Sequence, residues 1–323
     1  MKAIVQERYG PPESLSLQEI ETPRPAAGEV LVRVRAASAN AGDWHLMRAD
    51  PWFIRFMSGL WKPKHRVLGS DVAGVVVALG PGVTRYKPGD EVFGELSSCG
   101  FGAFAEYVCV PEQVLAPKPP RISFDEAAAV PVAGLTALQA LRDKGHIQAG
   151  KTVLVHGASG GVGSFAVQIA KSFGADVTAV CSTRNLSLVR SIGADRVVDY
   201  TKEDVTRNGR TFDLILDTAA YRSVRAYQRV LRPHGIYVMV GGSTARMFQL
   251  LLAGRWLERL GHGKLEFFLM KSNANDLELL HSLVENGTLS PVIDRRYALQ
   301  HTADAIRYLE AGRARGKVVI RMN

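Results

Sequence analysis

The segment that most constrains the fold is a glycine-rich turn between an apolar strand pattern and an apolar helix pattern, at residues 153–163 (VLVHGASGGVG). Its glycines, Gly157, Gly160 and Gly163, are spaced three apart. In an α/β protein such a turn brings backbone N–H groups close to a pyrophosphate, and the helix N-terminus favours negative charge. The turn therefore predicts a dinucleotide site, although many strand-to-helix turns use glycine for the turn alone.

The spacing of apolar residues changes along the chain. Up to about Pro120, short alternating strands lie between Gly and Pro turns, which is typical of a barrel or sandwich. Ser123 and Glu126 form a capping box that predicts a helix over residues 125–141, after which strands and helices alternate. The pattern predicts an α/β fold, with a Rossmann-type doubly wound parallel sheet inserted in a β-rich domain. We place the Rossmann domain at residues 125–272, and the β-rich catalytic domain at residues 1–124 and 273–323.

Composition narrows the class of protein. The chain has 323 residues and a formal net charge of +9, but its Lys and Arg residues form no block of five or more, so nucleic-acid binding is not expected. Three cysteines at unrelated spacings predict neither a disulfide framework nor a zinc motif. The N-terminus does not read as a secretory signal, and no apolar run approaches the ~20 residues that span a bilayer. We expect a cytoplasmic protein without a transmembrane segment.

The end of the second Rossmann strand predicts which dinucleotide is bound. An acidic residue about 20 residues after the glycine turn selects NAD through the ribose 2′-hydroxyl, whereas a cation suits the 2′-phosphate of NADP. Here Ser182, Thr183 and Arg184 follow that strand, with no acid among them. Arg184 offers a forked cation that matches a phosphate, so NADPH is predicted. Thr183 or Asn185 could also cap the next helix, and the two roles are compatible.

Several longer segments resemble one known family: residues 1–5, 87–92 (KPGDEV), 102–110 (GAFAEYVCV), 128–138 (AAVPVAGLTAL), 193–200 (GADRVVDY) and 316–320 (GKVVI), together with the glycine turn. End to end, the chain is similar to the medium-chain dehydrogenase/reductase superfamily, specifically its zinc-free quinone-oxidoreductase branch, which includes zeta-crystallin-like proteins. The resemblance implies that the β-rich domain is GroES-like.

Departures from the zinc-dependent relatives define the branch. Those relatives carry a catalytic Cys followed three residues later by Asp, where this chain has Asn40 and Asp43, and a Gly-His-Glu where it has residues 69–71 (GSD). The segment that would hold four structural cysteines contains only Cys99. With these thiolate and imidazole ligands replaced, no metal site is expected. Without a Lewis acid, the feasible chemistry is hydride transfer to an electrophilic acceptor, a quinone or an α,β-unsaturated carbonyl.

The resemblance also implies site residues. Asn40 is the catalytic candidate, since its amide could hydrogen-bond the acceptor carbonyl, with a turn asparagine as the alternative. Tyr200 is implied at the 2′-phosphate, and Thr136 at the nicotinamide side or the phosphate side. The glycine pair after the fifth Rossmann strand is implied at the nicotinamide ribose, and Lys317 near the cofactor. With the residues of the two turns, the predicted cofactor contacts are Thr136, Gly157, Ser159, Gly160, Gly161, Val162, Gly163, Ser182, Thr183, Arg184, Tyr200, Gly241, Gly242 and Lys317.

Several alternatives remain open from the sequence. The enzyme could instead reduce an enoyl thioester or an alkenal, and a different class of function would be an NADPH-binding, RNA-binding or crystallin-like protein with little turnover. A homodimer is expected, through pairing of a last strand at residues 265–270. Residues 50–65 could wall an apolar acceptor pocket or simply pack. Residues 246–264 could form a lid, an interface or a membrane-surface helix.

Overall fold

The computed structural model describes residues 1–242, 244–260 and 263–322. The chain forms two compact units, and each is described by itself. The first comprises residues 1–132, 271–287 and 291–323, and the second comprises residues 133–270 and 288–290. In the described part of the chain, no helix has the length and apolar character needed to cross a membrane.

The first unit is built on β-strands. Its strands are β1 (Lys2–Gln6), β2 (Leu15–Glu19), β3 (Glu29–Ala39), β4 (Asp71–Leu79), β5 (Glu91–Glu95), β6 (Tyr107–Pro111) and β7 (Leu115–Pro117). Its helices over the same stretch are α1 (Ala41–Arg48), α2 (Arg55–Ser58) and α3 (Phe124–Ala128). The second unit begins within α4 (Pro131–Gln139).

The second unit alternates strands and helices. Its strands are β8 (Thr152–His156), β9 (Asp176–Cys181), β10 (Arg196–Asp199), β11 (Phe212–Asp217), β12 (Leu231–Met239) and β13 (Lys264–Phe267). Its further helices are α5 (Gly161–Ser172), α6 (Leu186–Ser191), α7 (Val224–Gln228) and α8 (Thr244–Leu260). The chain then returns to the first unit through α9 (Ala274–Glu285), β14 (Ile293–Ala298), α10 (Thr302–Glu310) and β15 (Lys317–Arg321).

The long strand β3 organises the first unit. It pairs antiparallel with β4, β6 and β15, in a sheet ordered β14-β15-β3-β4-β5-β7 with β6 also on β3. Its alternating apolar residues Val30, Val32 and Val34 are fully or almost fully buried in the core of this unit. Because successive side chains of a strand point to opposite faces, this alternation directs one face of β3 into the core.

The second unit is a parallel sheet ordered β10-β9-β8-β11-β12-β13. The chain leaves β8 towards one edge and then crosses to the other side of β8 for β11. In open α/β sheets, the crevice at the carboxyl ends of the strands at such a switch point is where ligands bind. The glycine turn follows β8 and therefore lies at this switch point. The α/β fold class with a Rossmann sheet is confirmed.

One local prediction needs correction. The capping box at Ser123 and Glu126 forms, with the Ser123 N–H donating to Glu126 Oε2 at 2.8 Å. The helix predicted over residues 125–141 is broken, however, into α3, α4 and a π-helical turn at Ala140–Lys144. Pro131 begins α4 because it has no N–H to donate and disfavours helical geometry at the residue before it. α3 lies in the first compact unit.

Candidate functional site

In the first unit, three strands converge on a buried polar cluster. Ser38 of β3 faces Asp71 of β4, and Val318 of β15 faces Ala39 of β3. One residue further along this register, Lys317 comes opposite Asn40, the residue between β3 and α1. The side chains of Ser38, Asn40, Asp71 and Lys317 are all buried. The antiparallel register thus brings together residues that are far apart in the sequence.

The Asp71 carboxylate is the acceptor at the centre of this cluster. Its Oδ2 accepts from Ser38 Oγ at 2.5 Å, from Asn40 Nδ2 at 2.9 Å and from Lys317 Nζ at 3.0 Å. Its Oδ1 accepts from the Val132 N–H at 2.8 Å. A buried carboxylate needs both a counter-charge and hydrogen-bond donors, and Asp71 has both.

Both the oxygen and the nitrogen of the Asn40 side-chain amide form hydrogen bonds with neighbouring residues. Its Oδ1 accepts from Lys317 Nζ at 2.5 Å, and its Nδ2 donates to Asp71 Oδ2 and to the Ser38 carbonyl at 3.3 Å. An amide nitrogen has two hydrogens, so both are used within the cluster. The Lys317 ammonium has three hydrogens and, among the described residues, two acceptors. Lys317, predicted as a cofactor contact, therefore lies in the first unit beside Asn40.

Two further carboxyl groups lie near this ion pair. Asp43, on the first turn of α1, accepts the Asn40 N–H on Oδ2 at 2.7 Å, while its Oδ1 is buried without a partner among the described residues. Burial raises the pKa of Asp43 from its ordinary value of 3.8 to about 7, and the Asp71 carboxylate acts in the same direction. Glu95 faces Asp71 across the β4–β5 pair, and burial raises its pKa as well. For both groups, burial and the nearby Asp71 carboxylate disfavour the ionised form.

In the second unit, the glycine turn is sterically closed on itself. Gly157 has φ +78°, and a Cβ there would lie 2.3 Å from Thr218 Oγ1. A Cβ on Gly163 would lie 2.1 Å from the Gly157 carbonyl oxygen. Gly160 is different, because its nearest neighbour would be 3.4 Å away and its backbone is extended. Gly157 and Gly163 are needed for the turn itself, whereas the backbone face at Gly160 is open towards a ligand.

The strand ends of the second unit bring the other predicted residues to the same edge of the sheet. Asn185 Nδ2 donates to Ser159 Oγ at 2.8 Å and to Ser182 Oγ at 3.3 Å, linking the segments after β8 and β9. Asn185 occupies the cap position of α6, but its side chain makes no capping bond there. Thr136 lies buried on α4, Gly161 and Val162 begin α5, and Gly241 and Gly242 follow β12.

The residues predicted at the 2′-phosphate lie beside an acid that the sequence reasoning missed. Thr183 Oγ1 donates to Asp199 Oδ2 at 2.5 Å, and Thr201 donates to Asp199 Oδ1 at 2.7 Å. The Thr183 hydrogen bond holds the pKa of Asp199 below its ordinary value. Asp199 is the last residue of β10, the strand next to β9. The sequence rule considers an acid at the end of the second Rossmann strand, whereas this acid lies at the end of the third. Ser182 is half-buried, whereas Thr183, Arg184 and Tyr200 are exposed.

A second missed residue, Asp217, fixes the loop after β11. Its Oδ1 accepts the N–H groups of Ala219 and Ala220 at 3.1 and 2.7 Å, and its Oδ2 accepts from Tyr237 Oη at 2.8 Å. Gly242 packs against this loop with φ +111°, and a Cβ there would lie 2.2 Å from Ala220 Cβ. The loops after β11 and β12 are thus fitted to each other at the switch-point edge.

The described residues fit a dinucleotide and contain no metal cluster. The turn offers backbone N–H groups at a helix N-terminus, with an open backbone face at Gly160. In residues 1–242, 244–260 and 263–322, no group of three or more His, Cys, Asp or Glu side chains is arranged to hold a metal ion.

Comparisons with known proteins agree with this geometry. Residues 26–120 match the family model "Alcohol dehydrogenase GroES-like domain", and residues 192–320 match "Zinc-binding dehydrogenase". A trans-enoyl reductase of Aspergillus terreus is 37% identical, over 91% of this chain and 86% of that protein. The chain belongs to the quinone-oxidoreductase-like branch of the medium-chain dehydrogenase/reductase superfamily.

Two further relatives support this assignment. The NADPH-dependent alkenal/one oxidoreductase of Arabidopsis thaliana chloroplasts is 35% identical, over 99% of this chain and 79% of that protein. The solved structure of a quinone oxidoreductase from Coxiella burnetii superposes with a TM-score of 0.88 and 31% identity, covering 100% of this chain and 99% of that one. The superfamily member described here is an oxidoreductase that uses a nicotinamide cofactor, with a GroES-like unit and a Rossmann unit.

Breaking the Asp71–Lys317 pair should destabilise the protein. Lys317→Met leaves a buried carboxylate without its counter-charge, so we expect the free energy of unfolding to fall by about 3–5 kcal/mol. Asp71→Ala should lose a similar amount, and the double variant should lose clearly less than the two changes added together. Urea denaturation of all four proteins measures this coupling, and strict additivity would show that the two groups do not interact.

Asp43 should make the protein less stable as the pH rises. Because its folded-state pKa is raised, the stabilisation of its protonated form is complete below about pH 4 and is lost as the pH rises through 7. Asp43→Asn keeps an acceptor for the Asn40 N–H without an ionisable group. Between pH 5 and 8, we expect the free energy of unfolding of Asp43→Asn to rise relative to that of the wild type, by at most about 4 kcal/mol.

Urea denaturation at several pH values measures this difference. The exposed Glu21→Gln exchange is the matched control and should leave the pH dependence unchanged. Parallel pH profiles for Asp43→Asn and the wild type would contradict the raised pKa of Asp43.

Proposed function

We propose that this protein is an NADPH-dependent reductase of quinones or of α,β-unsaturated carbonyl compounds. The observation that carries the proposal is the buried Lys317 ammonium bonded to Asn40, the residue that stands where zinc-dependent relatives have a metal-binding cysteine. An oriented ammonium can stabilise a developing enolate or hydroquinone oxygen. The relatives named above as quinone oxidoreductase, alkenal/one oxidoreductase and trans-enoyl reductase act on acceptors of this kind.

In this proposal, Lys317 donates to the acceptor oxygen and Asn40 positions Lys317. The sequence hypothesis gave the donor role to the Asn40 amide, but its two N–H groups already bond Asp71 and the Ser38 carbonyl. Lys317 has one hydrogen more than its acceptors in the cluster, and the Asp71 carboxylate is its counter-charge at 3.0 Å. Reduction of an activated double bond then adds a hydride to the β-carbon and a proton from water to the resulting enolate.

The cofactor would be held by the second unit. When bound, it supplies the hydride. The N–H groups of the glycine turn would bind the pyrophosphate at the start of α5, and Thr136, Gly241 and Gly242 are proposed at the nicotinamide side. Ser182, Arg184 and Tyr200 are proposed for the 2′-phosphate. Thr183 contributes less than predicted, because its hydroxyl hydrogen is used by Asp199.

We also propose that the protein is a homodimer and that it is located in the cytoplasm. β13 is an edge strand of the six-stranded sheet, and α8 beside it exposes Leu251, Leu252 and Trp256. An open strand edge next to an exposed apolar helix face is suited to pairing with a second copy. The three cysteines are free, as in a protein of a reducing compartment.

Arg184 should decide the preference between the two dinucleotides. Arg184→Ala removes a cation that is proposed to bind the 2′-phosphate, a group that NADH lacks, so we expect Kd for NADPH to rise at least about tenfold while Kd for NADH changes little. Arg190→Ala, an exposed arginine on the following helix α6, is the matched control. Fluorescence titration with both dinucleotides measures the two constants, and equal weakening would remove Arg184 from a phosphate site.

The acceptor class should be visible in single-turnover kinetics. We expect the protein to oxidise NADPH with a quinone or enone in the presence of a chelator, and to act more slowly on a 2-enoyl thioester. Lys317→Met should lower kcat by about 10²–10³, whereas Lys118→Met, which removes the other buried lysine of the first unit, should not.

Each alternative has its own outcome in that experiment. Faster turnover of the enoyl thioester would make the protein an enoyl-thioester reductase. Tight NADPH binding without turnover of any acceptor, together with salt-sensitive RNA binding, would favour the non-catalytic class.

A further inference from the structure

An aromatic patch on the first unit is exposed although its side chains are apolar. It consists of Trp52, Phe56, Met57, Leu60 and Trp61, five large apolar residues within ten positions. Trp52 is 68% exposed and Trp61 is 86% exposed. The Trp52 and Phe56 rings lie 5.4 Å apart, centre to centre. Single exposed apolar residues are normal on a surface, but a group of five within ten positions, with two tryptophans, suits an interaction site.

The backbone beneath the aromatic patch is held in place. Tyr9 Oη donates to the Gly59 carbonyl at 2.6 Å and lies 2.9 Å from Ser58 Oγ, and the Lys64 N–H donates to the Ser58 carbonyl at 2.7 Å. Gly59 adopts φ +113°, and a Cβ there would lie 2.1 Å from the Lys62 carbonyl oxygen. The tight turn at Gly59 and these bonds present the apolar side chains outward from a fixed base.

The charges around the aromatic patch are mostly positive. Residues 50–66 contain Arg55, Lys62, Lys64 and Arg66, all exposed, and Asp50 is the one acid among them. Arg66 is paired with Glu7 at 3.2 Å, and the Arg55 guanidinium lies 5.0 Å from the centre of the Tyr9 ring. The formal net charge of the whole chain is +9. The surface is therefore complementary to an anionic partner.

We propose that the aromatic patch docks on the surface of an anionic lipid bilayer. Tryptophan and phenylalanine side chains partition into the headgroup region, and nearby Lys and Arg side chains are attracted to anionic lipids. Single-stranded RNA also binds basic and aromatic surfaces, but it uses planar side chains for base stacking. Met57 and Leu60 offer no such plane and suit acyl chains better. The proposal concerns binding alone and does not depend on the proposed reaction.

Vesicle co-sedimentation tests the docking. Full-length protein is mixed with vesicles of phosphatidylcholine alone, or of phosphatidylcholine and phosphatidylserine, at low and high salt. We expect binding to the anionic vesicles, weakened by salt, with a blue shift of tryptophan emission. The Trp52→Ser, Trp61→Ser double variant should lose partitioning by about tenfold or more. Lys62→Glu, Lys64→Glu should lose the preference for anionic lipid.

The control replaces exposed apolar residues of the first unit that lie outside the aromatic patch. The Leu17→Ser, Leu279→Ser double variant should keep the binding, and thermal melting and native mass are measured for every variant. The proposal is wrong if the wild type binds neither kind of vesicle, or if the control variant loses binding and the patch variant does not. Loss of RNA binding or a change of native mass in the patch variant, with no binding of the wild type to vesicles, would assign the aromatic patch to RNA or to a second copy instead.

Discussion

The carboxylate of Asp71 is the group on which the first unit's site depends. It accepts hydrogen bonds from β3, from the residue after β3, from β15 and from the start of α4. These donors come from positions 38 to 317 of the chain, so one buried anion fixes segments that the sequence separates widely. Without its counter-charge such a group would cost several kcal/mol, which is why Lys317 and Asp71 belong together.

The proposed reaction would use this arrangement where zinc-dependent relatives use a metal ion. Where zinc-dependent relatives place metal ligands, this chain has Asn40 and Ser70, and the positive charge next to Asn40 is a lysine ammonium. An ammonium is a weaker electrophile than a divalent cation and suits an acceptor that is already polarised. Two further buried carboxyl groups, those of Asp43 and Glu95, lie near the pair, and burial raises the pKa of both.

The second unit uses a similar device for a different purpose. Asp217 binds two backbone N–H groups and a tyrosine hydroxyl, and so fixes a loop rather than a cation. Gly157 packs against Thr218 on one side of that loop, and Gly242 packs against Ala220 on the other. The backbone at the carboxyl ends of β8, β11 and β12 is therefore closely fitted, which is the preorganisation that dinucleotide binding needs.

Local sequence determined the periodic elements, the glycine turn and the family, because these depend on residues close together in the chain. The alternation in β3, the capping box at Ser123 and the strand–turn–helix around Gly157 were all predictable for that reason. The sequence could not predict the hydrogen-bond partners of Asn40, the position of Lys317 beside Asn40, or the position of Asp199 beside Thr183. Each depends on strand register and sheet order, which set neighbours at long range, and a shift of one residue would have turned those side chains to the other face. The tertiary structure alone therefore decided which of these polar groups meet.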